Sequence, residues 1–255
     1  MTTNPADWLF DLGNTRLKCA PLVDGRHGDV VALAHGDAGF ASRLDALLPE
    51  RGGVAHLASV APQALAADLV DRLASRFGRV DIARTRASCA GVRIAYADPS
   101  KLGVDRFLAL LAAYRRGGAA LVVGVGTALT IDLVDAGGRH HGGRIAPSPS
   151  LMREALHARA SVLPLEGGAR IAFAADTADA LASGCEGSAL ALIADSLAAA
   201  RERLGTTPAL LLHGGGVPAL QDALPEAVST PSLVLEGLAC WASLEQSEKM
   251  ESTGC

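Results

Sequence analysis

The chain has few aromatic residues, no apolar run long enough to cross a bilayer, no basic cluster and no paired cysteine spacing. Aromatics make up only 4% of its 255 residues, so the core must come from Ala, Leu and Val within an apolar total of 49%. That is ample for one large or two moderate domains. The longest apolar runs, 121–134 and 189–200, are broken by Gly124, Gly126 and Asp132 and by Asp195. Neither reaches the roughly 18 to 20 residues of a membrane span. The start lacks a basic segment and meets Asp11 after three apolar residues, so no signal peptide is read there. A net charge of −4 without clustered Lys and Arg speaks against nucleic acid as a partner. Cys19, Cys89, Cys185, Cys240 and Cys255 are odd in number and show neither CxxC nor a zinc spacing. They are read as reduced thiols of a cytoplasmic protein.

What the chain does have is an internal echo. Residues 121–135, LVVGVGTALTIDLVD, read as a buried strand, a tight Gly-Val-Gly-Thr turn and a returning strand. Residues 8–26, WLFDLGNTRLKCAPLVDGR, repeat that pattern, with Gly13 over Gly126 and Asp11 over Gly124. The first hairpin closes at Asp24-Gly25. Taken alone, a Gly-Asn-Thr turn is an ordinary β-turn as readily as a phosphate cradle.

Helices are expected at 41–50 and 62–77, the latter with Leu65, Leu69, Leu73 and Phe77 as its core stripe, and strands at 54–60 and 79–83. Such alternation predicts an α/β layer. Pro99-Ser100 fits the start of a helix carrying Phe107, Leu110, Leu111 and Tyr114 inward and ending at Gly117-Gly118. By spacing alone Asp105 is a first-turn carboxylate favoured by the helix dipole, and Arg106 a solvated cation. Gly137-Gly138 is read as a hairpin turn, and His140 and His141 as solvated loop residues beside Gly142-Gly143. Ser150 is the expected cap of a helix at 151–160, with Leu151, Ala155 and Leu156 inward and Arg153, Glu154 and Arg159 in water. Asp176-Thr177 should cap a long Ala-rich helix, 178–203, buried either within its own domain or against a partner subunit. The strand 209–212 runs into His213 and the glycines 214–216, which suit close approach to a ligand. A helix is expected at 232–244, and the polar tail from Glu245 should fray.

Two halves that each open with a strand, a glycine turn and a returning strand predict two like-folded domains holding a nucleotide in the cleft between them. The plan resembles the acetate and sugar kinase, Hsc70 and actin superfamily, with ribonuclease H-like α/β domains at 1–117 and 118–255. Asp11-Leu-Gly-Asn-Thr-Arg-Leu-Lys18, Gly103-Val-Asp-Arg106, Gly126-Thr-Ala-Leu-Thr-Ile-Asp132 and Gly142-Gly-Arg-Ile-Ala-Pro147 stand in the order and spacing of type III pantothenate kinases. The resemblance spans nearly the whole chain and displaces the plain reading of Asp105.

It implies ATP-dependent phosphorylation of the primary hydroxyl of pantothenate, the first step toward coenzyme A. It puts Asp11, Leu12, Gly13, Asn14, Thr15, Arg16, Leu17 and Lys18 around the ATP phosphates, Asp11 also serving Mg2+ as Mg-ATP, and Thr127 on ATP. Asp105 is the implied base. Tyr96, Gly103, Val104, Asp105, Arg106 and Thr177 fall at pantothenate positions, and a homodimer is implied. Two departures stand out: Gly124 replaces an aspartate that binds a monovalent cation in many members, and Ser148 replaces a glycine. The first leaves activation by potassium or ammonium open, with Asp132 or a fixed water as substitutes for the lost charge. Two rivals remain, another sugar or acyl kinase on this fold and an inactive regulatory or accessory protein.

Overall fold

A computed structural model describes residues 5–253, with side chains as far as Glu245. Cys255 therefore lies outside the described residues. The chain divides into two compact units, 1–115 together with 232–255, and 116–231.

The first unit opens with the expected hairpin, β1 (Trp8–Leu12) and β2 (Arg16–Val23). Asp24 and Gly25 both have positive φ, the geometry a two-residue hairpin turn requires, and lead into β3 (Arg26–His27). A further strand, β4 (Val31–Ala34), pairs antiparallel with β2. Both β3 and β4 escape the sequence because four residues or fewer carry no usable alternation. Then come α1 (Phe40–Leu47), β5 (Gly52–Ser59), α2 (Gln63–Ala74), β6 (Phe77–Ile82), the small pair β7 (Ser88–Cys89) and β8 (Val92–Arg93), and α3 (Val104–Arg115). The sheet order is β3-β2-β1-β5-β6. Phe10, Leu57, Leu69 and Leu73 fill the core beneath it, with Phe77 entering from the start of β6 rather than from a helix.

The second unit repeats this plan. β9 (Ala120–Val125), β10 (Ala128–Val134) and β11 (His140–Pro147) form an antiparallel run, followed by α4 (Pro149–Arg159), α5 (Thr177–Leu204), β12 (Ala209–His213), α6 (Pro218–Gln221) and β13 (Val228–Ser229). Its order, β11-β10-β9-β12-β13, matches the main path of the first sheet, which carries β4 on β2 as an additional strand. In each unit the first strand is central, antiparallel to its hairpin partner and parallel to the strand that returns after the helices. The echo stays in step through Gly126, where the second turn proves one residue shorter: Leu12 faces Leu17, but Val125 faces Leu129.

Several expectations need correction. The last helix, α7 (Leu233–Thr253), falls in the second half by sequence but belongs to the first unit. A Cβ on Gly237 would overlap the Leu108 carbonyl, so α7 and α3 meet backbone to backbone. α7 also runs on where its polar composition predicts fraying. Ser148, not Ser150, caps α4: its hydroxyl accepts from the Leu151 amide at 3.3 Å, giving the departure at that position a local role. On α4 Glu154 and Arg159 are exposed as expected and Leu151 is half-buried, but Arg153, Ala155 and Leu156 depart. Arg153 is buried, donating to the Gly167 carbonyl at 2.9 Å, while Leu156 is exposed. His140 lies on β11, only 1% exposed, with its Nε2 3.0 Å from Oδ1 of buried Asp132. His141 is likewise held, with Nε2 2.7 Å from Asp135 Oδ2. A mid-strand carboxylate must find a partner when buried, which is why the solvated reading of His140 fails.

Candidate active site

In the first unit β1 ends in a turn that its own backbone closes, Gly13 N–H donating to the Arg16 carbonyl at 3.0 Å. Asn14, Thr15 and Arg16 are exposed on that turn, whereas Leu12 and Leu17 anchor it in the core. Asp11 and Lys18 are direct partners across β1 and β2. The Val60 amide continues the β5 side of the sheet by donating to the Leu12 carbonyl at 3.1 Å. The turn therefore stands at the carboxyl end of a central strand, beside the end of its parallel neighbour, the position at which open α/β sheets bind ligands.

Asp105 is brought to the same region. The Pro99–Lys101 turn, capped by Asp98 through the Ser100 amide at 2.9 Å, is a separate 3₁₀ turn, and α3 begins only at Val104. Gly103 caps α3 through its carbonyl, which accepts from the Phe107 amide at 3.0 Å. A Cβ there would lie 2.6 Å from Asp105 Oδ1 and 3.8 Å from Val60 Cγ1. The carboxylate thus folds back over Gly103, and a side chain at 103 would push it away.

The electrostatics of this corner are unusual. Burial raises the Asp11 carboxyl from 3.8 to about 7; Lys18 opposes the rise and the charge of Asp105 adds to it. Two carboxylates in mutual repulsion at a phosphate-type turn suit a cation. Among the described residues no group of three His, Cys, Asp or Glu could hold a metal alone. A magnesium ion is usually held by one or two carboxylates together with phosphate oxygens.

Arg106 departs from the spacing-based expectation: it is buried, 6% exposed. Its guanidinium stands 5.9 Å from the centre of the Tyr96 ring, and Nη1 donates to the Tyr96 hydroxyl at 3.4 Å. The residues singled out at 96 and 106 are therefore in contact, and a guanidinium is the planar fork whose geometry matches a carboxylate.

Thr127 and Thr177 belong to the second unit. Thr127 is exposed on the turn between β9 and β10, where Gly126 N–H donates to the Ala128 carbonyl at 3.0 Å. Thr177 is the first residue of α5, exposed, next to the cap Asp176, whose Oδ1 accepts from the Ala178 amide at 2.8 Å and the Asp179 amide at 3.3 Å. The Gly214 to Gly216 loop crosses the first of these turns. Gly214 has φ +102°, a Cβ on it would overlap the Val125 carbonyl, and Gly216 N–H donates to that carbonyl at 2.9 Å. Asp132, expected as one substitute for the charge missing at Gly124, is instead occupied by His140. His213, read in the sequence only as the residue before the glycines and given no role, ends β12 in register with Gly124. An apolar strand closing on a histidine beside a glycine cluster was the available signal.

The family profile described as type III pantothenate kinase matches residues 8–199. A type III pantothenate kinase of Stenotrophomonas maltophilia is 60% identical over 93% of this chain and 97% of its own length. One from Xanthomonas campestris is 58% identical over 93% and 98%. Among solved structures, one described as a conserved Baf family transcriptional activator from Campylobacter jejuni is similar with a TM-score of 0.59 at 19% identity, covering 91% of this chain and 94% of that one. Ta0583, an archaeal actin homolog, gives 0.51 at 10% identity over 93% and 99%. The structural likenesses speak for an actin-type α/β fold; the sequence relatives are specific, and the chain belongs to the type III pantothenate kinase family.

Proposed function

We propose that this chain phosphorylates the primary hydroxyl of pantothenate with ATP, the first step toward coenzyme A, with Asp105 as the base. The function itself follows from family membership at 60% identity over nearly full length, which leaves neither the rival kinase nor the inactive-protein reading a supporting observation. The assignment of residues rests on one structural observation: Asp105 is folded over Gly103 at the front of α3, close enough to Asp11 for its charge to be felt there.

The chemistry follows from that placement. Asp105 accepts the hydroxyl proton as the oxygen bonds to the γ-phosphorus, the bond from that phosphorus to the β–γ bridging oxygen breaks, and ADP leaves. A positioned carboxylate base contributes about 10²- to 10⁴-fold; alignment and charge neutralisation supply most of the remainder. The residues from Asp11 to Lys18 and Thr127 are assigned to ATP, their turns offering backbone N–H groups and Lys18 a cation. Mg2+, brought in on ATP with Asp11 beside it, would neutralise charge on the phosphates. Tyr96, Gly103, Val104, Arg106 and Thr177 are assigned to pantothenate, with the Arg106 fork for its carboxylate. A cytoplasmic setting fits the buried thiols Cys19, Cys89, Cys185 and Cys240, none of them in a disulfide.

A second copy of the chain is assigned to the segment 156–173. There Val162 is 86% and Phe173 98% exposed, with Leu156, Leu165 and Ile171 also open. Five exposed large apolar side chains within one segment are the raw material of an interaction surface.

A coupled assay of the purified protein with ATP, magnesium and pantothenate tests the reading. Asp105→Asn should lower kcat at least about 100-fold while the melting temperature changes little; turnover near that of the parent would remove Asp105 from the role of base.

A further inference from the structure

The monovalent cation implied by the family does not fit this chain. Gly124 carries no carboxylate, and the space a side chain would enter is taken: a Cβ on it would lie 2.6 Å from Thr130 Oγ1, 2.9 Å from His213 Nε2 and 3.1 Å from His213 Cε1. Thr130 and His213 are the register partners of Gly124 on its two flanking strands, so the three share one face of the sheet. The matching positions of the first unit are Asp11, flanked by Lys18 and Ala58. The first unit thus sets a carboxylate on the central strand beside a small neighbour, whereas the second sets no side chain there and a large ring on the neighbour.

His213 has little room to leave. The carbonyl of the preceding residue, Leu212, accepts from both the amide and the hydroxyl of Thr230, at 2.7 and 3.0 Å. The next residue, Gly214, lies against Val125 in a left-handed conformation open to glycine. The ring is therefore held at the end of β12, beside the strand that leads into the Gly126-Thr127 turn.

We propose that Gly124, Thr130 and His213 together replace the carboxylate and its bound cation, so that the ATP turn of the second unit works without potassium or ammonium. His213 acts here as a positioning residue. The physical reason is charge. A carboxylate next to a phosphate is repelled, more strongly the less water screens the pair, and a cation between them offsets that. With the carboxylate gone there is no repulsion to offset, and the ring and hydroxyl fill the volume that carboxylate and ion would otherwise occupy. This inference rests on the kinase reading, since it takes the turn at Gly126 to receive ATP phosphate.

The test uses the full-length protein in a sodium- and ammonium-free buffer of constant ionic strength, with potassium exchanged for tetramethylammonium. Turnover and ATP affinity are both measured. Wild type should change less than about twofold in either quantity across the titration, well under the tenfold that 1.4 kcal/mol represents. His213→Ala should raise KM for ATP about tenfold with kcat and KM for pantothenate nearly unchanged, the pattern of lost binding to one substrate. His213→Asn, which keeps a polar side chain of smaller bulk, should recover part of the loss. Gly124→Asp alone should fail, by clash with the ring; Gly124→Asp combined with His213→Ala should bind ATP again and do so only with potassium, a non-additive pair. Wild-type activity or ATP affinity that climbs steeply from near zero with potassium would overturn the proposal, as would an unchanged KM for ATP in His213→Ala. Absence of turnover with pantothenate in every salt would count against the kinase reading, and the ATP titration would still decide the cation question.

Discussion

Asp11 carries two demands that oppose each other. The role proposed for it wants an ionised carboxylate beside the phosphates, while burial favours the neutral acid and lifts its pKa from 3.8 to about 7. Below about pH 3.8 the group is neutral in the folded and unfolded chain alike and costs nothing. As pH rises, the unfolded chain gives up its proton first, and stability is lost progressively until the folded carboxyl has ionised near pH 7. The full penalty is at most about 4 kcal/mol, because each tenfold change in proton affinity is worth roughly 1.4 kcal/mol. Asp11→Asn should therefore melt at higher temperature than wild type at about pH 8, converge with it near pH 4, and lose activity at both. Melting curves across that range check the sign; an equal difference at both ends would show that burial of charge is not the cause. At this scale the sequence was legible where a residue's role is local, as with the Asp176 cap. It failed where burial depends on a distant partner. Arg106 and Arg153 carry charge and read as wet, but the structure sets one on Tyr96 and the other on the Gly167 carbonyl.

Among the elements, both hairpins and α2 were readable because alternation and helical spacing are local properties, and α5 because its cap and apolar run are. The membership of α7 was not, since nothing in an apolar helix names the helix it will pack against. The clue was Gly237, whose missing side chain lets α7 approach the Leu108 carbonyl of α3. Gly237→Ala should destabilise the protein by about 1–3 kcal/mol, the usual cost of overpacking, despite the better helix propensity of alanine. Because α3 carries Asp105 in its first turn, kcat should fall in the same variant. Gly184→Ala provides the contrast: on α5 an added Cβ meets nothing within 4 Å, so propensity alone acts and should stabilise by about 0.5–1 kcal/mol. Urea denaturation midpoints of the two variants should shift in opposite directions.

For the whole molecule, the two sheets share one strand order while their chemistry has diverged, with Asp11 and Lys18 in one unit and Gly124 and Thr130 at the matching places in the other. The inequality at Gly124 was visible in the sequence, but the ring beside it was not, because register between β9 and β12 spans most of the second unit. The same unit leaves α4 with an apolar residue outward and a charged one inward, an arrangement that costs free energy in a lone chain and not in a pair. A stable pair needs about 800 Å² buried on each partner, and the exposed apolar residues of 156–173 are candidates to contribute to such a surface. Replacing Val162 and Phe173 together by Ser should convert the protein from twice the chain mass to the chain mass in sedimentation equilibrium. The melting temperature of wild type, but not of the double variant, should rise with protein concentration. Since Thr177 opens α5 directly after this segment, the monomer should show a raised KM for pantothenate with KM for ATP little altered. A wild type that sediments as a single chain at micromolar concentration, or a double variant that stays paired, would place the interface elsewhere.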